Sequence, residues 1–217
     1  MSEPADPQHE PESGPRLGER ISDPRRVRAL AHPLRLRLLD LLSDGELTAT
    51  QCAEATGESP ANCSFHLRNL AKYGYIVPGE RRGKEKPWKL ATRSRDIRPD
   101  LGDSESIGAV AAMAVIALER EVDRVKAWID CAATEEPAWV DSSTINTSST
   151  WVTLEEYEEI SRELRQLTAR FAGRTEDPNL RPPGARPIRV LGVNAVDVER
   201  ERRVAPQRPE SGAGCTP

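Results

Sequence analysis

Five basic side chains on two short segments carry the most specific chemistry of this chain: Arg68 in one, and Arg81, Arg82, Lys84 and Lys86 in the other. A guanidinium presents a planar fork of donors that suits phosphate oxygens or the O6/N7 edge of guanine, whereas an ammonium acts as a point charge. Around Arg68 stand Ser59, Pro60, Ala61, Asn62 and Ser64, all small or polar, and one aromatic, Phe65. Small groups allow close approach to a nucleic-acid groove, Phe65 can meet a thymine methyl, and Asn62 and Pro60 fall at the rim. The second segment is a charged tip with two glycines, Gly79 and Gly83. Its cations would reach adjacent phosphates or the minor groove and give affinity and salt dependence rather than sequence choice. The plainer alternatives are a Phe65 packed on a neighbouring helix and a tip that is only a solvated loop.

Residues 31–91 supply the elements that must position these groups. Pro33 stands where its missing N–H costs nothing at a helix start, and Leu34, Leu38, Leu41 and Leu42 follow at helical spacing, with Arg35 and Arg37 outside that stripe. Residues 47–56 read as a short helix closed by Gly57, and Ser59 caps another. In that helix Cys63, His66, Leu67 and Leu70 share one face, while Ala61, Ser64, Phe65 and Arg68 share the opposite one. Gly74 ends it. Tyr75, Ile76 and Val77 form a short strand, and residues 87–91 form a return strand in which Trp88 and Leu90 alternate with Lys89. Two helices crossing at a glycine turn, followed by a basic hairpin, read as a winged helix-turn-helix and hence as a binder of double-stranded DNA.

Charge is distributed to match. From Asp23 to Arg95 there are 14 Lys and Arg against 8 Asp and Glu, a balance of +6, and the rest of the chain holds 17 against 27, a balance of −10, within an overall −4. A length of 217 residues and 37% hydrophobic content suit one or two domains with a modest core. Residues 1–20 and 199–217, rich in Pro, Glu, Gly and Arg, are expected to be disordered tails. With no secretory pattern and no apolar run of membrane-spanning length, a soluble, cytoplasmic protein without a membrane partner is expected.

The run Ala31-His32-Pro33-Leu34-Arg35 into a leucine-rich helix, then Ser64-Phe65-His66-Leu67 before Leu70, Gly74-Tyr75-Ile76-Val77 and the Arg-Arg-Gly tip resemble the ArsR-type winged-helix transcriptional regulators. The resemblance covers about residues 23–92. It implies a dimeric cytoplasmic regulator that binds an imperfect palindrome near its promoters, usually as a repressor relieved by a signal. Founding members sense metals through paired cysteines in the helix before the recognition helix, or through Asp, His and Glu ligands on the last helix. This chain departs from both patterns, with Cys52 alone in the first position and no histidine near Asp123. His9, His32 and His66 lack partners, and Cys52, Cys63, Cys131 and Cys215 lack metal-type spacing, so no metal and no cofactor are expected. Cys63 reads as a small core residue, and a Cys52–Cys63 redox switch is a minor alternative.

Residues 96–106 read as a linker between a DNA-binding domain over 21–95 and a C-terminal domain over 107–198. Ala111, Val115, Leu118, Val122, Val125 and Ile129 are spaced alternately four and three apart, a heptad seam on a helix over 107–131 that can pair with a second copy in a homodimer. Leu154, Tyr157, Ile160, Leu164, Leu167 and Phe171 mark another amphipathic helix, opened by a capping box at Thr153 and Glu156. With a strand expected over 186–193, the fold class is mainly α (α+β): a winged helix-turn-helix, a long amphipathic dimerisation helix and a small helical and strand appendage. Trp128, Trp139, Trp151 and Tyr157 either line a pocket for an unidentified small-molecule effector or fill a small core. No phosphate-cradling glycine loop, nucleophile elbow or metal dyad is present, and the chain is read as a binding protein, not an enzyme. A repressor is the first reading, an effector-responsive activator on the same module the second, and a protein-binding winged helix the third.

Overall fold

The computed structural model describes residues 20–81, 86–92, 95–175 and 177–204. The chain divides into two compact units, one of residues up to 134 together with 173–181, the other of 135–172 with residues from 182 onward.

In the first unit, helix α1 (Pro24–Arg28) opens on Asp23, whose carboxylate accepts the Arg25 amide, with Pro24 in the first helical position. Helix α2 (Pro33–Asp44) repeats that device with a histidine: His32 Nδ1 accepts the Leu34 amide at 3.1 Å. Leu34, Leu38, Leu39 and Leu42 are buried on α2, and Leu41 is only half-buried. The apolar sector is therefore rotated from the expected stripe, because α2 is central: helices α3 (Ala49–Thr56), α4 (Pro60–Lys72) and α5 (Ser104–Cys131) and strand β3 (Trp88–Leu90) all pack on it. Gly57, at φ 73°, lets the chain turn sharply between α3 and α4 in a left-handed conformation that costs glycine little. Leu38, Leu67 and Leu70 are fully enclosed, and removing each from water contributes about 1.5–3 kcal/mol.

Strand β2 (Ile76–Pro78) pairs antiparallel with β3, placing Ile76 opposite Leu90 and Pro78 opposite Trp88, and Leu47 bridges to Trp88 as a third edge. The hairpin is closed by Gly79, whose amide donates to the Pro87 carbonyl at 2.8 Å; a Cβ there would stand 2.5 Å from Glu46 Oε2.

The segment expected as a linker is tied down. Strand β1 (Arg20–Ile21) pairs parallel with β4 (Asp96–Ile97), so Arg20 belongs to the folded unit rather than to a tail. The buried Ser106 hydroxyl donates to the Ser22 carbonyl at 2.6 Å and accepts the Asp100 amide at 3.0 Å. Helix α5 thus begins at Ser104, three residues earlier than expected, under an Asp103 cap, and it groups with the winged helix rather than with the C-terminal residues.

The second unit holds α6 (Pro137–Asp141), α7 (Leu154–Gln166) and α8 (Val198–Val204). The capping box at Thr153 and Glu156 is present, but α7 stops at Gln166, and Phe171 lies in a separate turn of 3₁₀-helix, Ala169–Phe171. Residues 186–193, expected as a strand, have no strand partner and run as irregular chain. Residues 199–204, expected in a disordered tail, form most of α8, where Glu199 and Glu201 near the start and Arg202 and Arg203 near the end complement the helix dipole. No described residue of this unit is buried. Among all described residues, no helix is long and apolar enough to cross a membrane.

Candidate nucleic-acid interface

Helix α4 separates its two faces as the periodicity predicts. Cys63, His66, Leu67 and Leu70 are buried, whereas Ala61, Phe65 and Arg68 are exposed and Ser64 is half-buried. Phe65 is 57% exposed, so it does not pack into a neighbouring helix; only its edge meets the adjacent His66 ring, with centroids 5.1 Å apart. A phenylalanine left in water on a helix whose other face is fully buried is available to a partner.

The start of α4 is held by local bonds. Ser59 Oγ accepts the Asn62 amide at 3.1 Å, and Pro60 takes the first helical position. Asn62 Nδ2 donates to Glu58 Oε2 at 2.9 Å, which leaves its second N–H and its Oδ1 for a base or phosphate. Ser59, Pro60 and Ala61 are exposed around the helix end, whose dipole favours an anion. Arg81 and Lys86 are exposed at the two edges of the wing tip, and Arg82 and Lys84 lie outside the described residues.

Arg37, read as merely outside the apolar stripe, has a structural task. Its guanidinium donates to the Thr56 and Ala55 carbonyls at 2.9 and 3.0 Å and so caps the C-terminal end of α3 immediately before the turn into α4. His66 and His32 face each other with ring centroids 4.4 Å apart, and both imidazoles are held below their ordinary pKa, first by burial and then by neighbouring positive charge. Cys52 and Cys63 are both buried, and burial pushes the Cys52 thiol up to about 11, far from the thiolate that redox or metal chemistry uses. The Tyr75 hydroxyl, pushed up to about 12 by burial, donates to the Arg26 carbonyl at 2.8 Å and locks the strand end against α1.

On α5 the face bearing Ser106, Ala109 and Met113 is buried. Arg120 donates to Asp40 Oδ2 at 2.9 Å, and Arg124 bridges Asp40 and Glu121, fixing the rotation of α5 on α2. That rotation turns the heptad seam outward: Ala111, Val115, Leu118, Val122, Val125 and Ile129 are all exposed, Val115 by 56% and Ile129 by 52%.

The aromatic residues expected to line an effector pocket are engaged separately. Trp139 lies under the Arg186 guanidinium, itself paired with Glu135 at 2.9 Å; Trp151 lies under Arg200; and the Tyr157 hydroxyl donates to the Asn194 carbonyl. Trp128 stands half-exposed near the end of α5 in the first unit. Two features escaped the sequence reading. One is α1, although Asp23 and Pro24 form a cap-and-proline start of the same kind as that of α2; the other is the cluster of Arg25, Arg28 and Arg35 it helps to build.

A helix-turn-helix domain model matches residues 30–76. A probable mercury resistance operon repressor from Streptomyces lividans is 45% identical over 58 residues, which are 27% of this chain and 46% of that protein. The chain thus spans about half the length of the curated relative it matches. Among solved structures, a homodimeric winged helix-turn-helix DNA-binding domain from Mycobacterium bovis, described as a possible ArsR-family regulator, is 25% identical, with 45% of this chain and 76% of that one covered and a TM-score of 0.31. A possible transcriptional regulator for arsenical resistance is 26% identical, with 48% and 94% covered and a TM-score of 0.29. Residues 30–76 are thus similar to a helix-turn-helix domain.

Proposed function

We propose that this chain, with its helix-turn-helix domain of the ArsR kind, is a sequence-specific transcriptional regulator that binds double-stranded DNA as a homodimer and acts as a repressor by blocking polymerase. The observation that carries this reading is the solvent-exposed face of α4, where Ala61, Phe65 and Arg68 stand beside the Ser59 cap, opposite a face on which Cys63, His66, Leu67 and Leu70 are buried. A helix so mounted enters the major groove with its N-terminal half and outer face against the base edges. Arg68 reads guanine or holds a phosphate, Phe65 meets thymine methyls, and Ser59, Pro60, Asn62 and Ser64 line the approach. Arg81, Arg82, Lys84 and Lys86 on the wing neutralise flanking phosphates.

The exposed seam of α5 supplies the two-fold partner that a palindromic site requires, through Ala111, Val115, Leu118, Val122, Val125 and Ile129. Such a protein works in the cytoplasm, beside the chromosome, and needs no catalytic group of its own. The metal in the name of the curated relative is not carried over to this chain, in which Cys52 and Cys63 are both buried.

The test is to incubate the full chain with sheared DNA from its source organism, recover the bound fragments and sequence them. A two-fold-symmetric site upstream of a gene, bound with steep salt dependence, is the expected result. A folded protein that enriches nothing at low salt would refute the reading.

A further inference from the structure

An open cleft of about 390 Å³ lies between α1, α2 and α4, lined by Arg25, Arg28, Ala29, Arg35, Asn69 and Tyr73. Three arginines line it, and none of the lining residues is acidic. Arg28 is paired with Glu105 at 2.5 Å, outside the lining set. Arg35 is different. Its Nη2 reaches the Arg28 carbonyl at 3.2 Å, but its Nε is buried without a hydrogen-bond acceptor, and burial pushes its guanidinium below the ordinary value. A guanidinium with an unsatisfied donor and no carboxylate in contact is costly to bury, and the cost falls when an anion arrives. Asn69 Oδ1 is likewise buried without a donor, and turning the amide over exchanges that acceptor for an NH2 group. Lys72 Nζ, 5.5 Å over the Tyr73 ring, adds a further positive charge beside the cleft.

We infer that this cleft is an oxyanion site that takes a phosphate group on Arg25 and Arg35, with the Tyr73 hydroxyl and Asn69 amide as neutral donors. A planar guanidinium fork matches two phosphate oxygens, and two forks from different helices enclose a tetrahedral anion that a single surface arginine would not hold. The position gives the site its meaning, and here the inference rests on the DNA-binding reading. At 100° per residue, Asn69 and Tyr73 lie on the flank of α4 between its exposed face and its buried face, adjoining Phe65. A phosphate bordering the groove that α4 enters would meet the cleft there. The same chemistry would accept a free phosphate or a phosphorylated small molecule, and the two sources are separable.

The experiment compares the parent chain with Arg35→Gln and Arg25→Gln in two measurements. The first is the salt dependence of binding to a selected duplex and to a scrambled one. The second is the thermal midpoint of the free protein in inorganic phosphate against chloride at matched ionic strength, where the general stabilisation by phosphate appears in all variants and cancels. Arg25 is exposed, so its substitution keeps the test valid if Arg35→Gln lowers stability. A backbone-phosphate site predicts roughly tenfold weaker binding to both duplexes and a salt slope smaller by about one, with Arg162→Gln on α7 unchanged. A free-phosphate site predicts an extra rise of the parent midpoint in phosphate that both variants lose. If the parent fails to bind any duplex, the DNA reading fails and the phosphate measurement alone decides the site. Folded variants identical to the parent in every available measurement would overturn the inference.

Discussion

The first unit encloses a core of large apolar side chains, whereas no described residue of the second is buried. Val27, Leu38, Leu67 and Leu70 are fully enclosed, while Leu154 on α7 and Ile188 and Val193 in the irregular chain are 74%, 64% and 65% exposed. The second unit is held instead by polar contacts at its surface, such as Arg186 on Glu135 and Asn194 on Ser161. Exposed ion pairs contribute about 0–1 kcal/mol each, whereas one enclosed leucine contributes several times that. Stability and positioning therefore reside in the first unit, and the second opens locally at little cost.

Within the first unit the same contrast recurs between two exposed helix faces. That of α4 mixes small, aromatic and cationic groups, as a groove reader needs, and that of α5 is an unbroken apolar seam, as a pairing helix needs.

The sharpest way to break this comparison is Leu118→Glu, which puts a charge on the α5 seam. The account predicts complete loss of the dimer in light scattering with the helical content of each chain retained; an unchanged dimer mass would move the interface elsewhere. Next in size is a pair of truncations. Leu38→Ala should lower unfolding stability by about 2–5 kcal/mol, and Leu164→Ala on α7, already 37% exposed, by less than about 1. Similar losses in chemical denaturation would mean that the second unit has a core of its own.

On the proposed DNA-reading surface, Arg68→Ala should cost roughly 1–3 kcal/mol at the cognate site and relax base preference, whereas Arg81→Ala should weaken all duplexes alike and reduce the salt slope by about one. Equal loss on every sequence for both variants would remove Arg68 from base reading.

The smallest effect concerns His32. Because its folded-state pKa and that of His66 are depressed, the unfolded chain binds protons first as pH falls. The stability they contribute is full above about 6.5 and is lost as the pH drops from there through the folded-state values. His32→Asn keeps a helix cap but removes one titration, so stability at neutral pH should change by less than about 0.5 kcal/mol, and its decline toward acid should be shallower. A decline as steep as the parent's would assign it to other groups.

The helix-turn-helix was legible because its signals are local: Pro33 at a helix start, Gly57 in the turn, Ser59 as a cap, and the period of Cys63, His66, Leu67 and Leu70. The outward seam of α5 was legible as a heptad, but which face would be covered depended on Arg120 and Arg124 reaching Asp40, some eighty residues away in sequence. The β1–β4 pair was hidden for the same reason, since two residues on each strand carry no periodicity and their partnership spans the whole winged helix. Residues 186–193 alternate enough to suggest a strand, but a strand exists only with a partner, and none of the described residues provides one. The arginine cleft was missed because Arg25, Arg28 and Arg35 lie on two helices and meet only through the fold.

The most direct test of the central claim, that the outer face of α4 reads DNA, is the affinity of the full chain for its selected duplex and for a scrambled one across a salt series. The account predicts that the selected site binds at least about 10³-fold more tightly at physiological salt, with log affinity falling linearly with log salt for both. Equal affinity for the two duplexes would contradict base reading by α4, and affinity indifferent to salt would contradict the wing as a holder of phosphates.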